Sequence, residues 1–496
     1  MFEELQVHGE RSAVERPSTV SYEPEKRPQK ILLTIYMSNQ YQLAVIGAGS
    51  GGREAAVVAA QNGLRVVLIE KDTLGGTCLH HGFYCLKALR ASAESGRYSS
   101  KRPGPELGAG EAASGLPDWM TAQRKIGGRL AQAWNKQLDR AGVKIEFGEA
   151  TLVGPNKISV TPTRRDTALI EADYIILATG SRPAYHGHGP KSRFVNSTDL
   201  LQRRDRPSHL LVVGGGYIGC EFASIFRALG SRVTVVEKER RLLAGWDEAV
   251  GEYIANAMRS SGIEMYLGCD FDVNSSGGDS EESALALSDG TELSPDLVLV
   301  ATGRTPNVEN LGLEMIGIDA KPFIEVDDQM RTSRDRIFAV GDVNGQSLLD
   351  SAAISQARVA VDAIMGKQSS FSPRWIPRCI HTEPGAASIG WNEDEAGKAG
   401  LDVIAHSQIF RLVTDDDRTV VNPAETMLKV LIRAGTREIL GVHAVGHQAA
   451  EIVNFVSVAI RCGLTLEEVL QVPLVHPSTA EAIQECAKGI GTVLAG

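Results

Sequence analysis

A glycine-rich segment between two apolar runs constrains the fold of this chain more than any other feature. Residues 43–70 read LAVIGAGSGGREAAVVAAQNGLRVVLIE, an order that predicts a strand, a tight turn, a helix and a second strand. Gly47 permits the turn, Gly49 lets the backbone approach a pyrophosphate, and Gly52 lets the helix pack against the strand. Glu70 ends the second strand, where its carboxylate can accept hydrogen bonds from a ribose. The segment therefore predicts a dinucleotide site.

The same unit occurs again in residues 210–237, LLVVGGGYIGCEFASIFRALGSRVTVVE. Gly214, Gly216 and Gly219 repeat the spacing of the first three glycines, and Glu237 closes the segment as an acid closes the first one. Two sites built on one plan imply one resident dinucleotide and one that exchanges. We therefore predict an α/β protein with two Rossmann-like nucleotide-binding domains.

Length and composition limit the alternatives. A chain of 496 residues is expected to form two to four domains, and 43% hydrophobic residues with 51 glycines suit an α/β enzyme. The net charge of -10 argues against nucleic-acid binding, and no apolar run approaches the ~20 residues of a membrane span. Seven scattered cysteines do not resemble a secreted disulfide framework. We expect a soluble cytoplasmic protein without a metal site.

A motif that follows the first unit carries a family resemblance. Residues 75–87 read GGTCLHHGFYCLK. Together with the preceding fold, this motif resembles the signature of the class I pyridine nucleotide-disulfide oxidoreductases. The family includes dihydrolipoyl dehydrogenase, glutathione reductase, mercuric reductase and soluble pyridine nucleotide transhydrogenase. The resemblance runs from Tyr41 to the C-terminus and implies FAD in the first site and NAD(H) or NADP(H) in the second.

The motif departs from the disulfide-using members of this family, which carry two cysteines five positions apart beneath the flavin. Cys78 matches the first cysteine, but Phe83 occupies the position of the second. Cys85 lies two residues further on, and two helical residues rotate a side chain by roughly 200°, so we do not expect it to replace Phe83. The transhydrogenases also lack the second cysteine and carry a histidine at the position of His80. Cys78 is either an inert buried thiol or catalytic, and His80, with the adjacent His81, is either a proton donor or a polar residue at a helix start.

The resemblance also implies a set of flavin-binding residues. Lys87 would reach the flavin N5 region with Glu221 as its partner. Asp342 ends the run IFAVGD and would bind the ribityl chain. Further FAD-binding positions implied by the match are Gly76, Thr77, Thr179, Gly180 and Gly341.

The second site leaves the choice of nicotinamide cofactor open. Glu237 suits a free 2′-hydroxyl and would repel a 2′-phosphate, which favours NAD. Arg240 and Arg241 weaken that preference because guanidinium groups can bind a phosphate. Tyr217 either covers the nicotinamide pocket or packs as an ordinary aromatic residue. The run VLVATGRTPN places Gly303 at the exit from this domain.

The C-terminal region resembles the interface domain of the family, which forms a homodimer with active sites shared between subunits. Its run VHPSTAE places His476 at the position of the catalytic histidine and Glu481 at that of the carboxylate that orients it. Ser478-x-x-Glu481 is also a capping box, a rival explanation for the glutamate. The transhydrogenases usually replace this histidine, so the chain matches neither subgroup fully.

Five segments are predicted along the chain. They are a disordered extension (1–37) with Met37 as an alternative start, a first FAD part (38–186), an NAD(P) domain (187–308), a second FAD part (309–372) and a dimerisation domain (373–496). Within the first FAD part, residues 98–117 are predicted to form a loop. A helix is expected from Trp119 to Ala141, with Gly142 as its stop.

These observations predict an FAD-dependent NAD(P)H oxidoreductase. It would pass hydride from the nicotinamide to the flavin and on to a small acceptor that is not a disulfide. There are three candidate acceptors. The first is a second pyridine nucleotide, as in a transhydrogenase; the others are a quinone and another small oxidant. One alternative is a dihydrolipoyl dehydrogenase-like enzyme in which Cys78 and Cys85 pair after rearrangement. The other is a non-catalytic flavin-binding subunit.

Overall fold

A computed structural model describes residues 40–99, 119–162, 166–187, 189, 191–271, 284–412 and 424–495. Apart from Gln40, these residues belong to one compact unit, Tyr41–Gly496. The predicted extension 1–37 and residues 100–117 of the predicted loop lie outside the described residues. Among the described helices, none combines the length and the apolarity that a bilayer span requires.

The first part of the chain builds most of a seven-stranded sheet. Its elements are β1 Gln40–Ile46, α1 Ser50–Gln61, β2 Val66–Glu70, α2 Gly76–His80, α3 Phe83–Ser99, α4 Trp119–Arg140, β3 Lys144–Phe147, β4 Glu149–Gly154, β5 Lys157–Thr161, β6 Ala168–Leu177 and β7 Ser181–Pro183. The strand order is β3-β2-β1-β6-β5-β4, and a seventh strand from much later in the chain pairs with β6. β2 is buried along its whole length, as expected for a parallel strand covered on both faces.

The second part builds a five-stranded parallel sheet. Its elements are β8 Phe194–Val195, α5 Ser197–Leu200, β9 His209–Val213, α6 Tyr217–Ala228, β10 Arg232–Glu237, α7 Glu248–Ser260, β11 Glu264–Leu267, β12 Leu285–Ala286, β13 Glu292–Leu293, β14 Leu297–Val300 and β15 Arg304–Pro306. The order is β11-β10-β9-β14-β8, with β12 and β13 forming a separate hairpin. β15 pairs antiparallel with β7, so the segments that enter and leave this sheet form one two-stranded ribbon.

The chain then returns to the first sheet. β16 Ile337–Ala339 is the seventh strand and pairs parallel with β6; α8 Asp350–Ile364 follows it. α8 packs closely on α1 because both helices carry small residues: a Cβ added at Gly51 would lie 3.3 Å from the Cβ of Ala353. The first nucleotide-binding region is therefore assembled from segments more than 150 residues apart in sequence, as the sequence analysis expected.

The C-terminal part forms an antiparallel sheet covered by helices. Its elements are β17 Arg378–Ile380, β18 Ala386–Gly390, α9 Glu393–Lys398, β19 Val403–Leu412, β20 Ala424–Arg433, β21 Ile439–Val445, α10 Ala449–Arg461, α11 Leu466–Leu470 and α12 Glu481–Ala495. The order is β17-β18-β21-β20-β19. Its core is made from the strands and α10 to α12, while exposed apolar side chains remain at Ile409, Val458 and Val475.

Two element predictions can be compared with the structure directly. The helix predicted from Trp119 to Ala141 is α4, and Gly142 follows it with a positive φ of 76°, the backbone that ends a helix readily only at glycine. The start of the predicted loop at residue 98 is wrong, because α3 continues to Ser99. The five domain boundaries remain predictions.

Candidate functional site

The first glycine turn has three glycines with three different surroundings. Gly47 has a φ of 101°, and a Cβ there would lie 2.4 Å from the carbonyl oxygen of Ala178. A Cβ at Gly52 would lie 1.9 Å from the Gly47 oxygen, so the close approach of α1 to the turn needs a glycine. A Cβ at Gly49 would meet no heavy atom within 4 Å. Gly47 and Gly52 are therefore required by packing, and Gly49 faces open space.

The second turn repeats this arrangement. Gly214 has a φ of 111°, and its added Cβ would lie 2.5 Å from the carbonyl oxygen of Ala301. A Cβ at Gly219 would lie 1.9 Å from the Gly214 oxygen, and one at Gly216 would meet nothing within 4 Å. The internal repeat in the sequence is thus an internal repeat in three dimensions.

The open glycines fit a pyrophosphate. Gly49 and Gly216 directly precede α1 and α6, helices of 12 residues whose first amide groups have no intrahelical acceptor. In the first turn of α1, the Ser50 hydroxyl is buried and has no hydrogen-bond partner in the protein. A phosphate at each helix start would accept hydrogen bonds from these groups without meeting a side chain.

The acids at the ends of β2 and β10 are bound to the glycine turns. Glu70 accepts hydrogen bonds from the backbone N–H groups of Ala48 (2.7 Å) and Asp72 (2.9 Å). Glu237 likewise accepts from Gly215 (2.5 Å) and Glu239 (2.8 Å). Each carboxylate therefore lies at its glycine turn, the place where a ribose next to the pyrophosphate would be.

Two predicted flavin residues lie where the two sheets are joined. Thr179 and Asn307 form reciprocal bonds: Thr179 Oγ1 donates to the Asn307 oxygen at 2.7 Å, and Asn307 Nδ2 donates to the Thr179 oxygen at 2.9 Å. Gly180 and Gly303 have φ values of 70° and 137°, and a Cβ at either would meet nothing within 4 Å. Open space therefore lies beside the backbone of Gly180 and Gly303 at the exits from the two nucleotide-binding regions.

Asp342 lies in a polar cluster at the end of β16. Its Oδ2 accepts a hydrogen bond from Ser181 Oγ at 2.5 Å and lies 3.6 Å from Arg304 Nε. Arg304 also donates to the Ser181 side chain and backbone. Burial raises the pKa of Asp342, while Ser181 and Arg304 act in the opposite direction. Gly341, the residue before it, donates its N–H to Gln356 Oε1 at 2.7 Å.

The two cysteines of the motif, Cys78 and Cys85, lie in different surroundings. All seven cysteines of the chain lie within the described residues, and all are thiols rather than disulfides. Burial and the Asp350 carboxylate raise the pKa of the half-buried Cys78 thiol to about 12. Cys85 is 2% exposed, and its Sγ lies 3.2 Å from the His80 carbonyl oxygen, in a core shared with the second sheet. The two thiols thus differ in burial, although Cys85 is also among the groups that raise the pKa of Cys78, and the expectation that Cys85 does not replace Phe83 stays a prediction.

The ion pair that the resemblance implied between Lys87 and Glu221 is not formed. Lys87 Nζ lies 4.6 Å above the centre of the Phe83 ring. Glu221 is 8% exposed, and its Oε1 accepts a hydrogen bond from the backbone N–H of His381 at 2.7 Å. Phe83, four residues before Lys87 on α3, faces the same side of the helix, so its ring and the carboxylate compete for one ammonium group.

His476 and Glu481 are paired in the structure. His476 Nδ1 lies 2.9 Å from Glu481 Oε1, and the second carboxylate oxygen accepts the Ser478 N–H at 2.8 Å. The His476 side chain is 83% exposed in the single chain. The rival capping box is only half present, because α12 begins at Glu481 itself and the Ser478 hydroxyl is buried without a partner. The same carboxylate thus orients the imidazole and holds the backbone.

Family models match nearly the whole described chain. The model of the pyridine nucleotide-disulphide oxidoreductases matches residues 41–363, and that of their dimerisation domain matches residues 376–487. The chain belongs to the pyridine nucleotide-disulphide oxidoreductase family. It is 33% identical to a dihydrolipoyl dehydrogenase of Chlorobaculum tepidum over 91% of this chain and 97% of the relative. It is 31% identical to a glutathione reductase of Burkholderia cepacia, over 89% and 97%.

Solved structures of the family share the fold. LpdA from Mycobacterium tuberculosis superimposes with a TM-score of 0.80 at 25% identity, covering 90% of this chain and 99% of LpdA. The flavoprotein disulfide reductase RclA from Escherichia coli superimposes with a TM-score of 0.76 at 24% identity, covering 90% and 99%. The chain is therefore an FAD-dependent oxidoreductase with two nucleotide-binding regions and a C-terminal dimerisation domain that supports a homodimer. Members of this family bind FAD and use NAD(P)H.

For several other predicted site residues of this oxidoreductase, the contacts in the structure do not indicate a specific chemical role. His80 Nε2 lies 2.9 Å from the Leu74 carbonyl oxygen, and burial lowers the pKa of His81. Tyr217 begins α6, and burial raises its pKa to about 12. Gly76 lies against Gly49, with its added Cβ 3.0 Å from the Gly49 Cα, and Thr77 is exposed. Their roles stay predictions.

Three side chains near this site were not predicted from the sequence. Ser181 and Arg304, the partners of Asp342, each directly follow an Ala-Thr-Gly run, so the repetition of that run was the available signal. His381 lies beside Glu221 and packs its ring 5.3 Å from that of Phe83. No local pattern marked His381, because it reaches the site from the start of the C-terminal sheet.

Proposed function

We propose that this oxidoreductase takes electrons from NADH through FAD and passes them to a small acceptor that is not a disulfide. A second pyridine nucleotide is the first acceptor to test. FAD supplies the hydride chemistry when it is bound. The protein orients both nucleotides through its two glycine turns and sets the local charge through Lys87 and Glu221.

The observation that carries this proposal is the phenylalanine at position 83. A flavin-linked dithiol needs two sulfurs that can approach to about 2.05 Å and exchange electrons. Phe83 supplies a ring in place of the second sulfur, and that ring contacts Lys87 and His381. The Cys78 thiol, with a pKa raised to about 12, is also a poor source of thiolate at neutral pH.

The dihydrolipoyl dehydrogenase-like alternative would require Cys78 to pair with Cys85. The names of several relatives favour this alternative. Its difficulty is that Cys85 is buried against the second sheet and its Sγ faces the His80 carbonyl oxygen. Pairing would take Cys85 out of a packed core. The alternative of a non-catalytic subunit finds no support, since the chain belongs to a family of enzymes.

An anaerobic acceptor assay tests the proposal. The purified flavoprotein is reduced with NADH and offered a thio-nicotinamide dinucleotide, lipoamide and a quinone in separate reactions. We expect oxidation by the dinucleotide or the quinone and none by lipoamide. Accessible thiols are titrated before and after reduction, with Cys85→Ser as the matched variant. Two additional thiols after reduction of the native protein, absent in Cys85→Ser, would contradict the proposal and favour the disulfide reductase.

Charge at the second glycine turn supports NADH over NADPH. The Glu237 carboxylate lies at the turn, where it would repel a 2′-phosphate. Arg241 is engaged by Asp394 at 3.4 Å and Glu248 at 3.7 Å, which leaves its guanidinium less able to bind a phosphate. Arg240 is exposed. We expect Glu237→Gln to lower kcat/KM for NADH about tenfold, the loss of one charge-assisted hydrogen bond.

The control for this preference is Arg241→Gln, which should leave the ratio of kcat/KM for NADPH and NADH nearly unchanged. An Arg240→Gln variant tests the remaining exposed guanidinium. A native protein that uses NADPH better than NADH and loses that preference in Arg240→Gln would refute the assignment of NAD.

A further inference from the structure

The aromatic ring of Phe83 contacts the ammonium group of Lys87. A cysteine, which the disulfide-using members of the family have at this position, has no ring to make that contact. Phe83 and Lys87 are four residues apart on α3, so their side chains lie on one face of the helix. Lys87 Nζ is 4.6 Å from the ring centre, within the range of a cation–π contact. The same ring packs on His381 and, edge-on, on Tyr84 at 5.7 Å. Phe83, which is 40% exposed, therefore contacts Lys87, His381 and Tyr84 through one ring.

The Glu221 carboxyl group lacks the cation that its surroundings could provide. It is on α6, which packs against α3. Its hydrogen bond comes from the neutral backbone N–H of His381, and within the described chain no Lys, Arg or His nitrogen lies within ion-pair distance of its oxygens. Glu221 Oε1 accepts that bond, so Oε2 is the atom on which a proton can reside.

The charged and titratable groups that face Glu221 come from three elements. They are Lys87 and Arg90 on α3, Cys379 and His381 on and after β17, and Tyr217 and Cys220 on α6. His381 is neutral near pH 7, because burial and the cations Lys87 and Arg90 lower its pKa to about 4. The remaining neighbours on β17 and α6 are neutral thiols and a phenol. Burial is the largest influence on the pKa of Glu221, the His381 N–H bond opposes it, and the cations Arg90 and Lys87 of α3 are the charged groups that act in the same direction as that bond.

We propose that Phe83 is a positioning residue that keeps the Lys87 ammonium away from the Glu221 carboxyl group, so that Glu221 carries a proton beside the flavin site. Burial raises the pKa of Glu221 to about 7, and the hydrogen bond from the His381 N–H, together with the cations Arg90 and Lys87, offsets this only in part. Removal of the ring releases Lys87 towards the carboxylate. The inference concerns the charge state of the resting enzyme and holds for any electron acceptor.

Infrared spectroscopy of the oxidised holoenzyme tests this without measuring turnover. Near neutral pH, ordinary exposed carboxyl groups are ionised, so the carbonyl stretch of a protonated carboxyl group reports on unusual acids. Glu221→Gln removes one such band and thereby assigns it. The band is then followed as a function of pH, and its midpoint is the pKa of Glu221, expected near 7 in the native protein.

Phe83→Leu keeps an apolar side chain and removes the ring. The midpoint should fall by about one unit or more, since an opposite charge within 4–6 Å lowers the pKa of an acid by about 1–3 units. Phe83→Tyr keeps the ring and should leave the midpoint unchanged. In the double variant Phe83→Leu/Lys87→Met, the downward shift should disappear.

Two results from the variants would overturn the inference. One is a Phe83→Leu midpoint equal to that of the native protein. The other is a lowered midpoint that persists in the double variant, because the shift would then not come from Lys87. Should Phe83→Leu fail to fold or to hold flavin, Phe83→Met carries the same two expectations. A native midpoint near the ordinary value of glutamate would also refute it, and it would do so without bearing on the identity of the electron acceptor.

Discussion

Two neighbouring glycines in the second turn predict opposite effects of the same substitution. In Gly219→Ala, the new Cβ would lie 1.9 Å from the Gly214 carbonyl oxygen, more than 1 Å inside the 3.0 Å that real Cβ contacts respect. α6 must move away from β9 by about that distance. Overpacking of this kind costs about 1–3 kcal/mol of the free energy of unfolding. We expect the apparent Tm to fall by roughly 2–6 °C.

In Gly216→Ala, the new Cβ would meet no protein atom within 4 Å, and the φ of -77° suits alanine. Folding should be unaffected or stabilised by up to about 1 kcal/mol, since alanine restricts the unfolded chain. The methyl group would, however, occupy the space that we assign to a pyrophosphate. We expect the Kd for NADH to rise at least about tenfold, or about 1.4 kcal/mol.

The assays are thermal unfolding for stability and equilibrium binding of NADH, followed by the quenching of protein fluorescence. The same pair in the first turn, Gly52→Ala and Gly49→Ala, should separate stability from flavin content in the same way. A Gly216→Ala variant with the native Kd for NADH would refute the placement of the pyrophosphate. A Gly219→Ala variant with the native Tm would refute the packing argument.

Three further outcomes are expected. Lys429→Met should cost about 3–5 kcal/mol of unfolding free energy in chemical denaturation, because it strands the buried Asp247 carboxylate 3.0 Å away. Burial lowers the pKa of His443 to about 4 in the folded protein. As the pH falls, the imidazole is therefore protonated in the unfolded state before it is protonated in the folded state. Stability should therefore fall as the pH drops from about 6.5 towards 4, with a shallower decline in His443→Gln, measured as denaturation midpoints. His476→Ala should lower turnover about 10²-fold or more and change the pH profile, if Glu481 orients a proton carrier.

Glu425, on the same strand as Lys429, provides the control for Lys429→Met. Glu425→Gln breaks the exposed pair with Arg411 and should cost less than about 1 kcal/mol. An equally small cost for Lys429→Met would contradict the buried-pair argument. Equal acid sensitivity of native protein and His443→Gln would remove His443 as the cause. Unchanged turnover and pH profile in His476→Ala would show that the imidazole carries no proton in the reaction.

The sequence predicted those features that depend on a few adjacent residues. Gly47 and Gly52 are readable because a positive φ and a contact of 1.9 Å can only be met by glycine, wherever the rest of the chain lies. Gly142 ends α4 for a similar local reason. The duplicated unit was visible because its two copies have the same spacing. These requirements are local, and local pattern is what a single sequence displays.

The features that were missed depend on which of several possible contacts forms. The spacing of Phe83 and Lys87 places both on one face of α3, but it does not show that the ring, rather than the Glu221 carboxylate of another helix, contacts the ammonium group. The buried contact of Asp247 with Lys429 joins residues 182 positions apart. Asp247 could have been recognised only as a helix N-cap, which it also is, because its side chain accepts the Ala249 N–H. Its partner could not be read from the chain.

The ribbon formed by β7 and β15 has a practical consequence. Arg182 is paired with Thr305 and Ser181 with Pro306, so the chain enters and leaves the NAD(P)-binding part through two adjacent strands. The intervening 120 residues or so thus form an insert with its two ends side by side. A matching piece of a relative spliced in at the ribbon would therefore join the rest of the chain at two neighbouring points of the backbone. It would also have to supply an acid at the position of Asp247, because the buried Lys429 of the C-terminal part lies 3.0 Å from that carboxylate.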